Sequence, residues 1–133
     1  MTATTTLAGN LTREPEIRYT KEGLATTTFS LAVNRRHQAK ATGEWEEETS
    51  YFDVVCFQEL AENVALSMTK GTRVLVTGRL RQRTWADEDG HRRSRVELTA
   101  DDVGASVRFC TAEVARSSRL GGEEWTSAGV ELE

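Results

Sequence analysis

Apolar and polar residues alternate along most of this chain with a period of two, the pattern of strands that turn one face to a core. Residues 4–12 form a first extended run, interrupted at Gly9. Pro15 and the run Ile17-Arg18-Tyr19 predict a bend and a short extended piece, and Lys21-Glu22-Gly23 a turn. Residues 24–35 read as a second long strand, where Phe29, Leu31 and Val33 alternate with Ser30, Ala32 and Asn34. Residues 36–47 are polar and predict a long exposed loop or hairpin tip. A third strand follows over 48–57, with Tyr51, Asp53, Val55 and Phe57 on one face and Phe52, Val54 and Cys56 on the other. The period then changes: Leu60, Val64 and Met68, with Ala61 and Ala65, recur at helical spacing through 58–69, and Gly71 supplies the stop. Residues 73–85 predict a fourth strand and residues 92–98 the start of a fifth, around a hairpin tip at Asp89-Gly90. Val107, Phe109 and Val114 suggest one more extended segment. From residue 117 onward the chain is rich in Gly, Ser and Glu and is expected to be disordered.

Five strands with a helix between the third and fourth is the element order of the OB-fold, a Greek-key barrel whose exposed sheet face and long loops hold oligonucleotides or oligosaccharides. The expected fold is therefore all-β: a five-stranded OB-fold barrel with one helix, plus an extra C-terminal strand. Residues 1–116 would form this domain and 117–133 a short tail. A length of 133 residues fits one domain with a core. No apolar stretch approaches a membrane span and the Thr-rich start is not a signal peptide, which predicts a cytoplasmic protein.

The net charge of −4 looks unfavourable for a nucleic-acid binder, but its distribution alters that picture. Residues 79–95 hold six arginines against three acids, a local excess of +3. Arg79, Arg81, Arg83 and Trp85 stand two apart on the fourth strand, opposite the apolar face of Val74, Val76 and Gly78. Guanidinium groups pair with phosphates and an indole stacks on a base, so this stripe has the chemistry of a surface for single-stranded nucleic acid. Taken alone it reads equally well as a solvated strand face. Candidate phosphate contacts are Arg35, Arg36, Lys40, Arg79, Arg81, Arg83, Arg92, Arg93 and Arg95. Candidate stacking rings are Tyr51, Phe57 and Trp85, with His37 as a smaller one, although periodicity alone makes Phe57 a core residue. Trp45 lies among Glu44, Glu46, Glu47 and Glu48, which would repel phosphate, though a loop can turn its ring toward a base, and Trp125 has no evident role in the tail.

Two cysteines are too few for a disulfide scaffold, and with His37 and His91 they fit no zinc spacing. No nucleophile motif, Gly-rich phosphate loop or metal site points to catalysis, so neither an enzyme nor a cofactor is expected. The rival readings are an OB-fold protein-interaction module and a small nuclease; the second lacks a carboxylate cluster to support it.

The chain resembles the bacterial single-stranded DNA-binding proteins. The resemblance is carried in order by Ala8-Gly9-Asn10-Leu11, Pro15-Glu16-Ile17-Arg18-Tyr19, Phe29-Ser30-Leu31-Ala32, Thr42-Gly43-Glu44-Trp45, Val54-Val55-Cys56-Phe57, Leu60-Ala61-Glu62, Lys70-Gly71, the run from Gly78 through Trp85, and Asp89-Gly90. Residues 101–119 look most like the actinobacterial branch. The resemblance implies a homotetramer around which single-stranded DNA wraps, in the service of replication, recombination or repair at the nucleoid. It maps the family's stacking aromatics onto His37, Tyr51, Phe57 and Trp85, and so moves Phe57 to the binding face. His37 and Tyr51 stand where tryptophan is familiar. It also places a subunit-clamping strand at residues 107–115. Cys110 would then lie at a subunit border, where an intersubunit disulfide is one option and the free thiol of a reducing cytosol the other. Typical members end in a long Gly-, Pro- and Gln-rich tail with an Asp-Phe tip. This sequence stops at Gly129-Val130-Glu131-Leu132-Glu133, so recruitment of replication and repair proteins through the tail is expected to be weak or absent.

Overall fold

The computed structural model describes residues 3–117. Six strands and one helix follow in the order β1 (Thr4–Leu11), β2 (Glu16–Tyr19), β3 (Ala25–Gln38), β4 (Trp45–Phe57), α1 (Gln58–Ser67), β5 (Arg73–Ala86) and β6 (Arg92–Ala105). The sheet runs β1-β5-β6-β4-β3-β2, and β1 also pairs with β3, which closes the five long strands into a barrel with β2 as the additional strand. Every pairing is antiparallel except β4 with β6.

Closure depends on a residue without a side chain. Strand β1 lies along β5 from Thr4↔Arg79 to Asn10↔Arg73, and reaches β3 at Asn10↔Ala32 and Leu11↔Leu31. At the crossing, a Cβ on Gly9 would stand 2.4 Å from the carbonyl oxygen of Ala32, so only glycine lets the two backbones approach. The barrel interior is filled by Phe29, Leu31, Val54, Cys56, Val74, Val76 and Leu98, and α1 adds Ala61 and Val64. The buried hydroxyl of Thr27 donates to the Ala61 carbonyl at 2.7 Å, tying β3 to the helix without leaving a polar group unpaired. Burial pushes the Cys56 thiol up to about 12, which fits its reading as a small hydrophobe.

Two expectations change. Half of the polar stretch 36–47 is ladder: β3 continues to Gln38 and β4 begins at Trp45, so only residues 39–44 turn. Strand β6, which residues 92–98 begin, runs on to Ala105. Residues 107–115 form no strand. A strand that clamps a neighbouring subunit finds its hydrogen-bond partners there, and one chain offers none. The chain after β6 is held instead by the Ser106 amide, which donates to the Arg73 carbonyl at 2.8 Å, and by Phe109, flanked by the guanidinium groups of Arg73 and Arg108 at 5.6 and 5.4 Å. Of the expected tail at 117–133, residues 118–133, with Trp125, lie outside the described residues.

Candidate nucleic-acid interface

Strand alternation decides which candidate side chains can meet. On β4 the residues Phe52, Val54 and Cys56 turn inward, so Tyr51, Asp53, Val55 and Phe57 turn outward. Phe57 is 46% exposed, while its neighbour Cys56 is fully buried. Periodicity alone makes Phe57 a core residue, and the structure corrects this: both faces of β4 carry apolar residues, but the core takes Val54 and Cys56, so Phe57 falls on the other face. Gln58, immediately after Phe57, takes a left-handed backbone (φ 58°), a sharp reversal at the strand end from which α1 begins.

The parallel pairing of β4 with β6 places Asp53 beside Glu97 and Val55 beside Thr99. The antiparallel pairing of β6 with β5 places Glu97 beside Arg81, Arg95 beside Arg83 and Arg93 beside Trp85. Residues paired across a ladder share a face. The outer surface of β4, β6 and β5 is therefore one continuous sheet face. It carries exposed Tyr51, Phe57 and Trp85 together with Arg79, Arg81, Arg83, Arg93 and Arg95. Two long hairpins, β3–β4 and β5–β6, extend this face beyond the barrel.

Other candidates fall elsewhere. Arg35 and His37 lie in register with Glu48 and Glu46, on the side of the β3–β4 ribbon opposite Tyr51. Both reach Glu48, Arg35 at 3.3 Å and His37 at 3.1 Å. Arg92, in register with Ala86, is out of phase with the arginine stripe, and Lys40 is in the turn at the ribbon's tip. A ring set aside on sequence grounds shares the stacking face instead. Trp45 is six residues from Tyr51 on the same strand, is 63% exposed, and has the Arg36 guanidinium over its ring at 5.3 Å. Its even spacing from Tyr51 was the available signal, hidden because residues 45–47 lack apolar alternation.

Four of the five arginines of the face are ion-paired. Arg95 Nε lies 2.9 Å from Asp53, Arg83 meets Glu97 at 3.7 Å, Arg79 meets Asp101 at 3.4 Å, and Arg93 Nε donates to Asp87 at 2.9 Å. The Arg93 guanidinium holds the Asp87 carboxyl below its usual range; partial desolvation opposes this, and the backbone N–H groups of His91 and Asp89 add to it. Asp87, Asp89 and His91 bring potential metal-ligand atoms within 4.8 Å of one another at this exposed tip, where Asp87 is already engaged.

A closed five-stranded barrel with rings and cations on one sheet face defines an oligonucleotide-binding class of fold. Comparison with known proteins narrows the class. Residues 2–106 match the model of the single-strand binding protein family, and the chain belongs to that family, which is not one of enzymes. It is 43% identical over 120 residues to a single-stranded DNA-binding protein of Mycobacterium leprae, spanning 90% of this chain and 71% of that one. It is 42% identical over 117 residues to one from Corynebacterium glutamicum, of which it spans 52%. It is also similar to the crystal structure of a small single-stranded DNA-binding protein from Streptomyces coelicolor, with a TM-score of 0.66 and 29% identity, covering 80% of this chain and 95% of that one. No helix among the described residues is long and apolar enough to cross a membrane.

Proposed function

We propose that this chain binds single-stranded DNA with little sequence preference and that four copies assemble so that one strand wraps around them. Bases stack on Tyr51, Phe57 and Trp85, and phosphates pair with the arginines between these rings. The observation that carries the reading is the continuity of the β4–β6–β5 face, which interleaves exposed rings with guanidinium groups in the pattern that single strands require. The relatives' names agree with it. Arg36 and Trp45 extend the track along the β3–β4 ribbon, and His37 and Arg35 meet DNA only where a strand crosses to the ribbon's other side. Protection of single strands during replication, recombination or repair follows from such coverage. Titration of intrinsic tryptophan fluorescence with oligo-dT at two salt concentrations tests this, with the native mass measured alongside. Salt-sensitive quenching and a mass of four chains are expected. Absence of quenching at low salt would overturn the DNA reading, and a smaller mass would overturn the tetramer.

A further inference from the structure

Two carboxylates lie in the middle of a face read as a DNA track. Asp53 and Glu97 are side by side on adjacent parallel strands, where like charges directly opposite are ordinarily destabilising. Each is held by a guanidinium, Arg95 at 2.9 Å and Arg83 at 3.7 Å, and Asp101 and Asp87 hold Arg79 and Arg93 in the same way. The Glu97 side chain is only 15% exposed, so its charge is partly shielded from water and meets cations of the face instead.

On the basis of the DNA-binding reading, we propose that Asp53 and Glu97 are built-in competitors of the DNA phosphates, which weaken binding and flatten its salt dependence. A carboxylate presents the same bidentate oxygen edge to a guanidinium as a phosphate does. A phosphate that takes Arg95 or Arg83 must therefore displace a carboxylate. DNA gives up condensed cations when a protein cation neutralises it, about 0.7 per phosphate for single strands. The displaced carboxylate takes up a cation in return, so the net release is smaller than the number of arginines on the face implies. Binding then changes less with ionic strength than a bare arginine track would allow.

The experiment measures oligo-dT affinity across a salt series for the full chain and for Asp53→Asn, Glu97→Gln and the double variant. Asp101→Asn, at the exposed surface beside Arg79, serves as a further variant without risk to the core. Glu22→Gln, on the β2–β3 turn, removes the same unit of charge without freeing an arginine of the face. The amide variants keep side-chain shape, and circular dichroism verifies their fold. Each carboxylate removed from the face should tighten binding at low salt by about two- to fivefold, the range of an exposed ion pair. The salt slope should steepen by up to about 0.7 for each arginine freed. Glu22→Gln should leave the slope unchanged. Weaker binding in the variants would mean that the acids position the arginines, and would overturn the proposal. A gain equal to that of Glu22→Gln would reduce it to net charge and overturn it equally. Failure of the unaltered chain to bind oligo-dT would sink the DNA reading itself, separately from these outcomes.

Discussion

Trp85 ends the arginine stripe of β5 and lies in register with Arg93, which Asp87 holds in place. Of the two indoles on this face, Trp45 and Trp85, it is the one that ends the arginine stripe, and it is 44% exposed. Trp85→Ala should weaken oligo-dT binding by about 1–3 kcal/mol, the range for one stacked base. Far-ultraviolet circular dichroism should stay unchanged, because the ring contributes little to the core; an unaltered dissociation constant would remove Trp85 from the stacking track. The two cysteines differ as sharply as the rings. Cys56 is fully buried with a thiol pushed up to about 12, while Cys110 is exposed. Iodoacetamide at neutral pH should therefore label Cys110 alone, as peptide mass spectrometry of the native protein would report. Modification of Cys56 under native conditions would contradict its burial. The inward position of Cys56 was legible from alternation, since Val54 shares its face. The outward position of Phe57 was not, because Tyr51 and Val55 make the other face of β4 equally apolar.

At the scale of elements, the β5–β6 hairpin combines a rigid root with a clipped tip. Its root carries an irregularity at Thr77/Gly78, where a Cβ on Gly78 would stand 2.1 Å from the Thr99 carbonyl oxygen. Gly78→Ala should destabilise the fold by about 1–3 kcal/mol, as overpacking does, and urea unfolding would measure it. Its tip is clipped by Asp87, which accepts from Arg93 and from the amides of Asp89 and His91. Because the Asp87 pKa is lowered in the folded state, this clip is fully present above the ordinary carboxylate value of about 3.9 and is lost as pH falls through the lowered one. The Arg93 Nε–H chemical shift should thus hold steady down to pH ~4 and move only in stronger acid. A shift that moves at higher pH would show that the clip is not formed. The elements themselves were largely legible: period-two runs located the barrel strands, and the change to helical spacing located α1. The hairpin ends were not, because residues 36–38 and 45–47 pair through the backbone while their side chains are polar. The absence of a strand at 107–115 was not legible either, because Val107, Phe109 and Val114 read as an extended apolar segment in sequence while all three are exposed in the fold.

For the whole molecule, the exposed apolar residues Val107, Phe109 and Val114 lie in a segment without a ladder of its own, as suits contact with a second copy. Cys110 is in the same segment. In protein purified without thiols, pairing of Cys110 across a symmetry axis would appear as a dimer on a non-reducing gel and disappear in Cys110→Ser. Monomer bands alone would end that idea.

The long hairpins also divide the molecule by stiffness. Inside the barrel, β3 and β5 alternate buried positions with half-buried or exposed ones; beyond it, residues 81–86 and 92–96 are exposed throughout, as are 45–51. Those ends are held by backbone pairing and surface ion pairs without a core beneath them, and such segments open locally at far lower free energy than the barrel. Amide exchange should accordingly be slow at Phe29, Val54 and Leu98 and fast along the hairpin ends. On the proposed reading, a strand of DNA laid over the face would run from a firm seat at Phe57 onto two compliant arms, free to follow its curvature while the barrel keeps its shape.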